Sequence, residues 1–404
     1  VVGAAVLLGG CSTSTAIQKA HWHFLDGDTE AAVQALGNVQ DIDGKDRLLY
    51  WLEKGMYQHY AGNYENSTRL LLEASAFLES TDFISVSDGA KSLLANDWAG
   101  SYRGEYSERL WIHSVLMMNF LHLGRYESAA VEARKSLEVI NRHPKILNED
   151  HFTRALIGLS FEAAQQTNDA YIVNNNLAES VNQFFFNQLI DTQATALGFT
   201  PATRLATFPP DQQHAVVFIS SGFIPAKHSG SLLTSDASRI SFAEYLVPYS
   251  SPVDYSISID GRACDCYNII SDFGHLVSHS LNRRGAALVT KAVFRAAAKE
   301  AVAEALEQTD EIAGEIARIL LFALEEADIR SWRSLPRHFQ MVRVPLAQSA
   351  SQLLVSVGGS NHQFTLPAPS ARPPLMFYTV HASQPGINRV STLDTVGPQP
   401  EQSP

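Results

Sequence analysis

The first half of the chain repeats one pattern of large and small positions about short polar turns. The best-formed unit centres on Gly62-Asn63-Tyr64-Glu65, with Trp51 and Gly55 before it and Ser67, Leu71 and Ala74 after it. Small residues at Gly55, Ser67 and Ala74 let two helices approach closely, while the large ones fill the gaps between successive hairpins. A weaker copy is headed by Gly27-Asp28, with Ala20 and Ala32 in small places, and 62 minus 27 gives a turn spacing of 35. A third is Gly124-Arg125-Tyr126-Glu127 with Phe120 and Ala129. A fourth, degenerate copy sets Gly158 and Ala170 about a turn at Thr167-Asn168-Asp169, and Gln183–Ala196 follows as a capping helix. The pattern predicts an array of helical hairpins over residues 16–200. The turns at Gly62 and Gly124 lie 124 minus 62, or 62, residues apart, so nearly one unit of chain is inserted between them.

After Thr200-Pro201 the texture changes, and residues 201–213, with Phe208-Pro209-Pro210, are expected to form a linker. Segments rich in β-branched and aromatic residues then predict strands at His214–Ser220, Arg239–Val247 and Tyr255–Ile259. A helical stretch from Ile269 to Ile329 interrupts them, and strands resume at Gln340–Val344, Gln352–Val357, Gln363–Leu366 and Leu375–His381. Strands on both sides of a helical insertion predict a mixed α+β domain over 214–382, built from short antiparallel strands. The polar, Pro-rich tail 383–404 is expected to be disordered. The fold class is thus α + (α+β): a helical-hairpin array followed by a mixed domain.

Composition sharpens the picture. The formal net charge of −12 disfavours nucleic acid as a partner, and 45% hydrophobic against 18% charged residues allows a large core. Residues 1–10, VVGAAVLLGG, are uncharged and apolar or glycine, as in the apolar region and cleavage zone of a truncated signal peptide. Leu8-Gly9-Gly10-Cys11 resembles the lipobox of bacterial lipoproteins, which makes Cys11 the expected lipid-anchored residue and 11–15 a short polar tether. Several acyl chains give stable anchoring where one does not. Ser12 after the cysteine resembles lipoproteins sorted to the outer membrane, facing the periplasm. Cys264 and Cys266 are either ordinary thiols or a strained bridge that needs a turn.

Candidate chemistry is sparse. The insertion gathers Asn96, Asp97, Trp98, Tyr102, Arg103, Glu105 and Arg109 on a loop and the start of the next helix. Such a cluster is either a partner-binding surface or a capping and packing device. Trp332, between Arg330 and Arg333 where helix gives way to strand, is likewise a binding anchor or a pin for the junction. Lys291, Arg295 and Lys299 form a basic stripe best read as a solvated helix face. His275 and His279 share a helix face near Asp272, which is zinc-ligand spacing, but no Glu stands between them as general base. Ser220-Ser221-Gly222 is no nucleophile elbow, and no glycine pattern cradles phosphate. No cofactor and no catalysis are expected; a metal-dependent hydrolase centred on Asp272, His275 and His279 is the alternative.

The hairpin units resemble tetratricopeptide repeats, with Trp51, Gly55, Gly62, Tyr64, Ala74, Gly124, Tyr126 and Ala129 on signature positions. Together with Leu48–Met56, the Asn96-Asp97 to Arg109 insertion, Asp169-Ala170-Tyr171, the Gly285–Lys299 helix and the Arg330–Pro336 junction, they make the chain resemble a bacterial family of tetratricopeptide-repeat lipoproteins of unassigned function. The resemblance implies an envelope location and a scaffold or assembly role. The expected partners are the membrane, through the lipid, and an envelope protein or peptide held by the array, or else the chain is a structural subunit of an envelope complex. Asn174-Asn175-Asn176 departs from the repeat pattern.

Overall fold

A computed structural model of the chain describes residues 14–84, 101–181, 183–202, 207–209, 211–233, 239–264, 266–308, 312, 314–316, 327–384 and 387–391. Cys11, Asn96, Asp97 and Trp98 lie outside them.

Four helical hairpins open the fold: α1 (Thr15–Leu25) with α2 (Thr29–Ala35), α3 (Arg47–Tyr60) with α4 (Tyr64–Ile84), α5 (Tyr106–His122) with α6 (Tyr126–Arg142), and, after the short α7 (Pro144–Leu147), α8 (His151–Ala163) with α9 (Thr167–Ala178). Helix α10 (Phe184–Ala196) closes the stack against α9. Three of the turns are made by glycines in the left-handed region, Gly27, Gly62 and Gly124 at φ 86°, 75° and 70°. The pairing follows the small positions. A Cβ on Gly55 would lie 2.8 Å from Leu71 Cγ, and Ala74 and Ala129 have no exposure. Tyr64 is buried, while Trp51 and Tyr126 are half-buried.

The fourth turn corrects the expectation. It falls at Gln165, with φ 59°, and Thr167-Asn168-Asp169 open α9 instead of forming a turn. The Asn-rich stretch is helical too, because buried Asn174 packs on Gly158 and donates from Nδ2 to Gln193 Oε1 at 3.2 Å.

Strands β1 (Gln213–Ser221), β6 (Tyr267–Asp272), β7 (His338–Leu346), β10 (Leu375–Gln384) and β11 (Ile387–Ser391) form a five-stranded sheet in the order β11-β10-β1-β7-β6. Strands β4 (Tyr255–Ile259), β5 (Arg262–Ala263), β8 (Gln352–Val357) and β9 (Ser360–Thr365) form a second sheet, β5-β4-β8-β9. Strands β2 (Lys227–Leu233) and β3 (Arg239–Tyr245) pair as a hairpin beside α11 (Phe273–Glu307).

The larger sheet departs from the expected short antiparallel strands, and its inner strands are buried on both faces. Its central pair, β1 and β10, is parallel, and β1, β7 and β10 are long. Val216 and Phe218 of β1 join the core shared with the helices; Ala215, Val217 and Ile219 join the core shared with the second sheet. A strand covered on both sides carries a continuous apolar run, as β1 does, instead of strict alternation. Residues 387–391, assigned from composition to a disordered tail, form β11 along β10. Ile269 and Ile270, read as helical, belong to β6, because Asp272 caps α11 by accepting from the His275 N–H at 3.0 Å.

The core runs unbroken from the hairpins into the sheet: one cluster joins Tyr60, Trp111 and Phe152 of the array to Phe218, Phe273, Phe339 and Phe377. Within 201–213, Phe208 donates its N–H to Thr192 Oγ1 at 2.9 Å, and Gln212 Nε2 donates to the Leu346 carbonyl at 2.8 Å. Cys264 and Cys266 stand as thiols, with Cys266 Sγ 3.7 Å from the Cys264 carbonyl.

Candidate functional site: the covered inner face of the array

In each hairpin the first helix faces the C-terminal half of the chain. Phe24 of α1 meets Phe223 edge-on at 5.5 Å, and Trp111 of α5 stacks on Phe273 at 3.9 Å. Phe152 of α8 stacks on Phe339 at 4.8 Å, and Tyr60 of α3 donates to the Ser334 carbonyl at 2.9 Å. The side on which an array would hold a partner's segment is therefore filled by the chain's own sheet and by the strap of residues 327–337 that leads into β7.

Two buried carboxylates fasten that strap. Glu53 of α3 accepts from the Arg333 N–H at 2.7 Å and from the Ser334 N–H at 3.1 Å. Burial pushes its carboxyl up to about 7, against these hydrogen bonds. Glu108 of α5 accepts from the Trp332 N–H at 2.8 Å, the Tyr102 hydroxyl at 2.5 Å and the Glu105 N–H at 2.7 Å. Burial raises it as well, and the Lys227 ammonium opposes that rise. Lys227 donates to Glu105 at 3.0 Å; against its own desolvation, Glu105 and Glu108 hold it above its ordinary value. Arg330 completes the clamp with Asp46 at 3.0 Å and Asp328 at 2.8 Å, its guanidinium 5.6 Å from the Tyr102 ring centre.

The residues singled out in the insertion and at the junction thus meet. Tyr102, Glu105 and Trp332 are buried in one network, and the Trp332 indole donates to Ser334 Oγ at 3.0 Å. Among the described residues of the same group, Arg103 is exposed and Arg109 half-buried, and Arg109 Nε donates to the Arg103 carbonyl at 3.2 Å. Sequence reasoning passed over Lys227 and did not assign Glu53 or Glu108, which begins the helix after the insertion, a role in holding the strap. For Glu53 the signal was a charge at the end of the apolar run Leu48–Leu52, since such groups are rarely buried unless paired; Glu108 and Lys227 adjoin polar neighbours and carry no such local mark.

A second seam is made of histidines. His59 donates from Nδ1 to Asn119 Oδ1 at 2.7 Å, since the Asn119 amide nitrogen already donates to Ser67 at 2.8 Å. His122 lies 2.7 Å from Thr379 Oγ1 and stacks on Tyr64 at 4.3 Å, and His381 lies 2.6 Å from Ser220 Oγ. Burial lowers His59 to about 4 and His122 to about 3, so both rings are neutral at ordinary pH. A third buried network centres on Asp150, which caps α8 and accepts from Trp111 Nε1 at 2.9 Å and Ser271 Oγ at 2.7 Å. Arg343 of β7 pairs in two bonds with Glu162 of α8, at 2.7 and 2.6 Å.

The metal alternative finds no converging site. His275 is exposed, and its ring centre stands 6.2 Å from that of His279. His279 Nε2 accepts from Arg283 at 3.1 Å. Asp272 is engaged by its capping bond, by Arg337 at 3.3 Å and by His338 at 3.6 Å; against desolvation these partners hold its carboxyl down at about 2. Among the described residues no group of three or more His, Cys, Asp or Glu is placed to hold a metal, and no helix is long and apolar enough to cross a membrane.

No family model matches the chain, and no curated protein matches its sequence. Solved structures of MamA resemble part of it. MamA from Desulfovibrio magneticus RS-1 is 10% identical at a TM-score of 0.31, over 45% of this chain and 84% of that one. MamA of AMB-1 is 14% identical at a TM-score of 0.30, over 45% and 81%. The tetratricopeptide-like character of the helical half rests on its own hairpins, their glycine turns and their small-residue contacts.

Proposed function

We propose that the protein is a non-catalytic, protein-binding scaffold of the bacterial cell envelope, held at the periplasmic face of the outer membrane by lipid on Cys11. The observation that carries the scaffold reading is the stack of helical hairpins braced from within by its own sheet. Such a body keeps a rigid outer surface, made by α2, α4, α6 and α9, on which a partner can assemble. Support for the non-catalytic reading comes from the buried carboxylates at the site, whose oxygens are taken up by the Trp332, Arg333 and Ser334 N–H groups and the Lys227 ammonium. Support for the anchor comes from Leu8-Gly9-Gly10-Cys11, and only Ser12 and Thr13 separate that cysteine from Ser14, whose N–H donates to Asp46 at 3.0 Å. The body would therefore work close to the bilayer.

Crosslinking in intact cells followed by mass spectrometry tests the scaffold role. A reproducible envelope protein is expected, and recovery of none above background overturns the reading. For the anchor, wild type is expected to incorporate labelled palmitate and fractionate with membranes. Cys11→Ser in the full precursor is expected to lose the label; labelling that persists in this variant removes the anchor.

A further inference from the structure

Helix α1 is the element next to the proposed anchor, and its two sides differ. Ile17, Ala20, His21 and Phe24 are buried, with Phe24 packed on Tyr57 at 4.9 Å and on Tyr60 at 5.2 Å. Thr15, Gln18, Lys19 and Trp22 are exposed. At about 100° per residue these four make one stripe, roughly opposite the buried one, that begins where the tether ends. Trp22 is 66% exposed, whereas Trp111 and Trp332 are fully buried and Trp51 is half-buried.

A single exposed apolar side chain is ordinary on a protein surface. The place and the charge of this one set it apart. Ser14 is fixed to the body by its N–H bond to Asp46, and two residues separate it from Cys11, so the tether reaches at most about 11 Å. Trp22 lies about 12 Å along the helix axis from Ser14, a span that matches the tether. From Ser12 to Leu25 the sequence has Lys19, His21 and His23 and no Asp or Glu, in a chain of net charge −12; Asp26 and Asp28 come only in the turn beyond.

We propose that this stripe rests on the phospholipid bilayer that takes the Cys11 lipid, a proposal that depends on the anchor described above. The Trp22 indole lies at the level of the headgroups, where its apolar ring and its N–H are both accommodated, and the Lys19 ammonium meets lipid phosphate. Lipid and helix together then fix which way the body faces.

Fluorescence of the purified lipidated protein in vesicles of phosphatidylethanolamine and phosphatidylglycerol tests this, with Trp22→Phe as the subtraction that isolates the Trp22 emission. That emission is expected to shift to the blue in vesicles and to be quenched more by lipids brominated near the headgroup end of the acyl chain than by lipids brominated near its methyl end. Gln18→Glu with Lys19→Glu, which sets carboxylates beside Trp22, is expected to lower the quenching while vesicle association persists through the lipid. Equal quenching of wild type and Trp22→Phe in vesicle-bound protein, undiminished quenching in the charge variant, or a Trp22 blue shift produced by concentrating the protein without vesicles would each overturn the proposal and leave the anchor standing. Wild type that carries no lipid and stays out of the vesicles would remove the anchor, and this proposal with it.

Discussion

Gln165 does a glycine's work. It holds φ 59° at a place where Gly27, Gly62 and Gly124 make the other hairpin turns, and a residue with a Cβ is disfavoured in that conformation by about 1–2 kcal/mol. Gln165→Gly should therefore raise stability by about 0.5–1 kcal/mol once the extra chain entropy of glycine is counted, read as a higher urea midpoint at unchanged slope. Gly158 carries the opposite expectation. A methyl group there collides with the Asn174 amide oxygen between two packed helices. Gly158→Ala should cost about 1–3 kcal/mol, and Asn174→Ala in the same chain should recover part of that loss in a double-mutant cycle. An additive result would mean that the two side chains do not meet.

At the scale of elements, the strap is held by carboxylates that reach across the fold. Glu108→Ala leaves the Trp332 N–H, the Tyr102 hydroxyl and the Glu105 N–H without their acceptor in a buried place, and should cost about 3–5 kcal/mol. Glu108→Gln keeps one acceptor oxygen and should cost less; equal losses in thermal melts would show that the hydrogen bonds contribute little. The same comparison explains what the sequence could disclose. The hairpins were legible because large and small residues recur within one unit of about 35 residues. The grip of Glu53 on Ser334 spans 281 residues, and no local periodicity encodes it. Strand β6 was lost because it is six residues long and runs straight into α11, so its two isoleucines were absorbed into the helical pattern. Tyr102, Glu105 and Trp332 were legible as a group worth notice, but their inward direction depends on a sheet that the repeat pattern does not predict.

For the molecule as a whole, the unbroken core makes array and sheet one cooperative body. Residues 14–200 expressed alone should expose the first-helix face and fail to give a sharp thermal transition; a soluble, cooperatively melting fragment would contradict this. The buried histidines set the response to acid. Burial lowers His21 and His59 to about 4 and His122 to about 3, well below their value in the unfolded chain. Below about pH 6.5 the unfolded state therefore binds protons that the folded state refuses, and stability falls as pH drops toward about 4. Glu53, raised to about 7, acts in the opposite direction by taking up a proton in the folded state. Burial also lowers His214 and raises Glu108 in the same two directions, and the lowered histidines outnumber the raised carboxyls, so the net effect of acid is a loss of stability. Denaturation midpoints at about pH 7.5, 6 and 5 check the sign, and His122→Gln should flatten the slope by about one proton. The parallel pairing of β1 with β10 bears on how the chain reaches this state. Ser220 and His381 are bonded across 161 residues of sequence, so the central strand of the larger sheet cannot find its parallel neighbour until the residues of β10 have emerged from the ribosome. Until then the hairpins present an uncovered apolar flank. Folding should consequently be slow for the chain's helix content, and the newly made protein should depend on a chaperone that shields that flank until the last strands arrive.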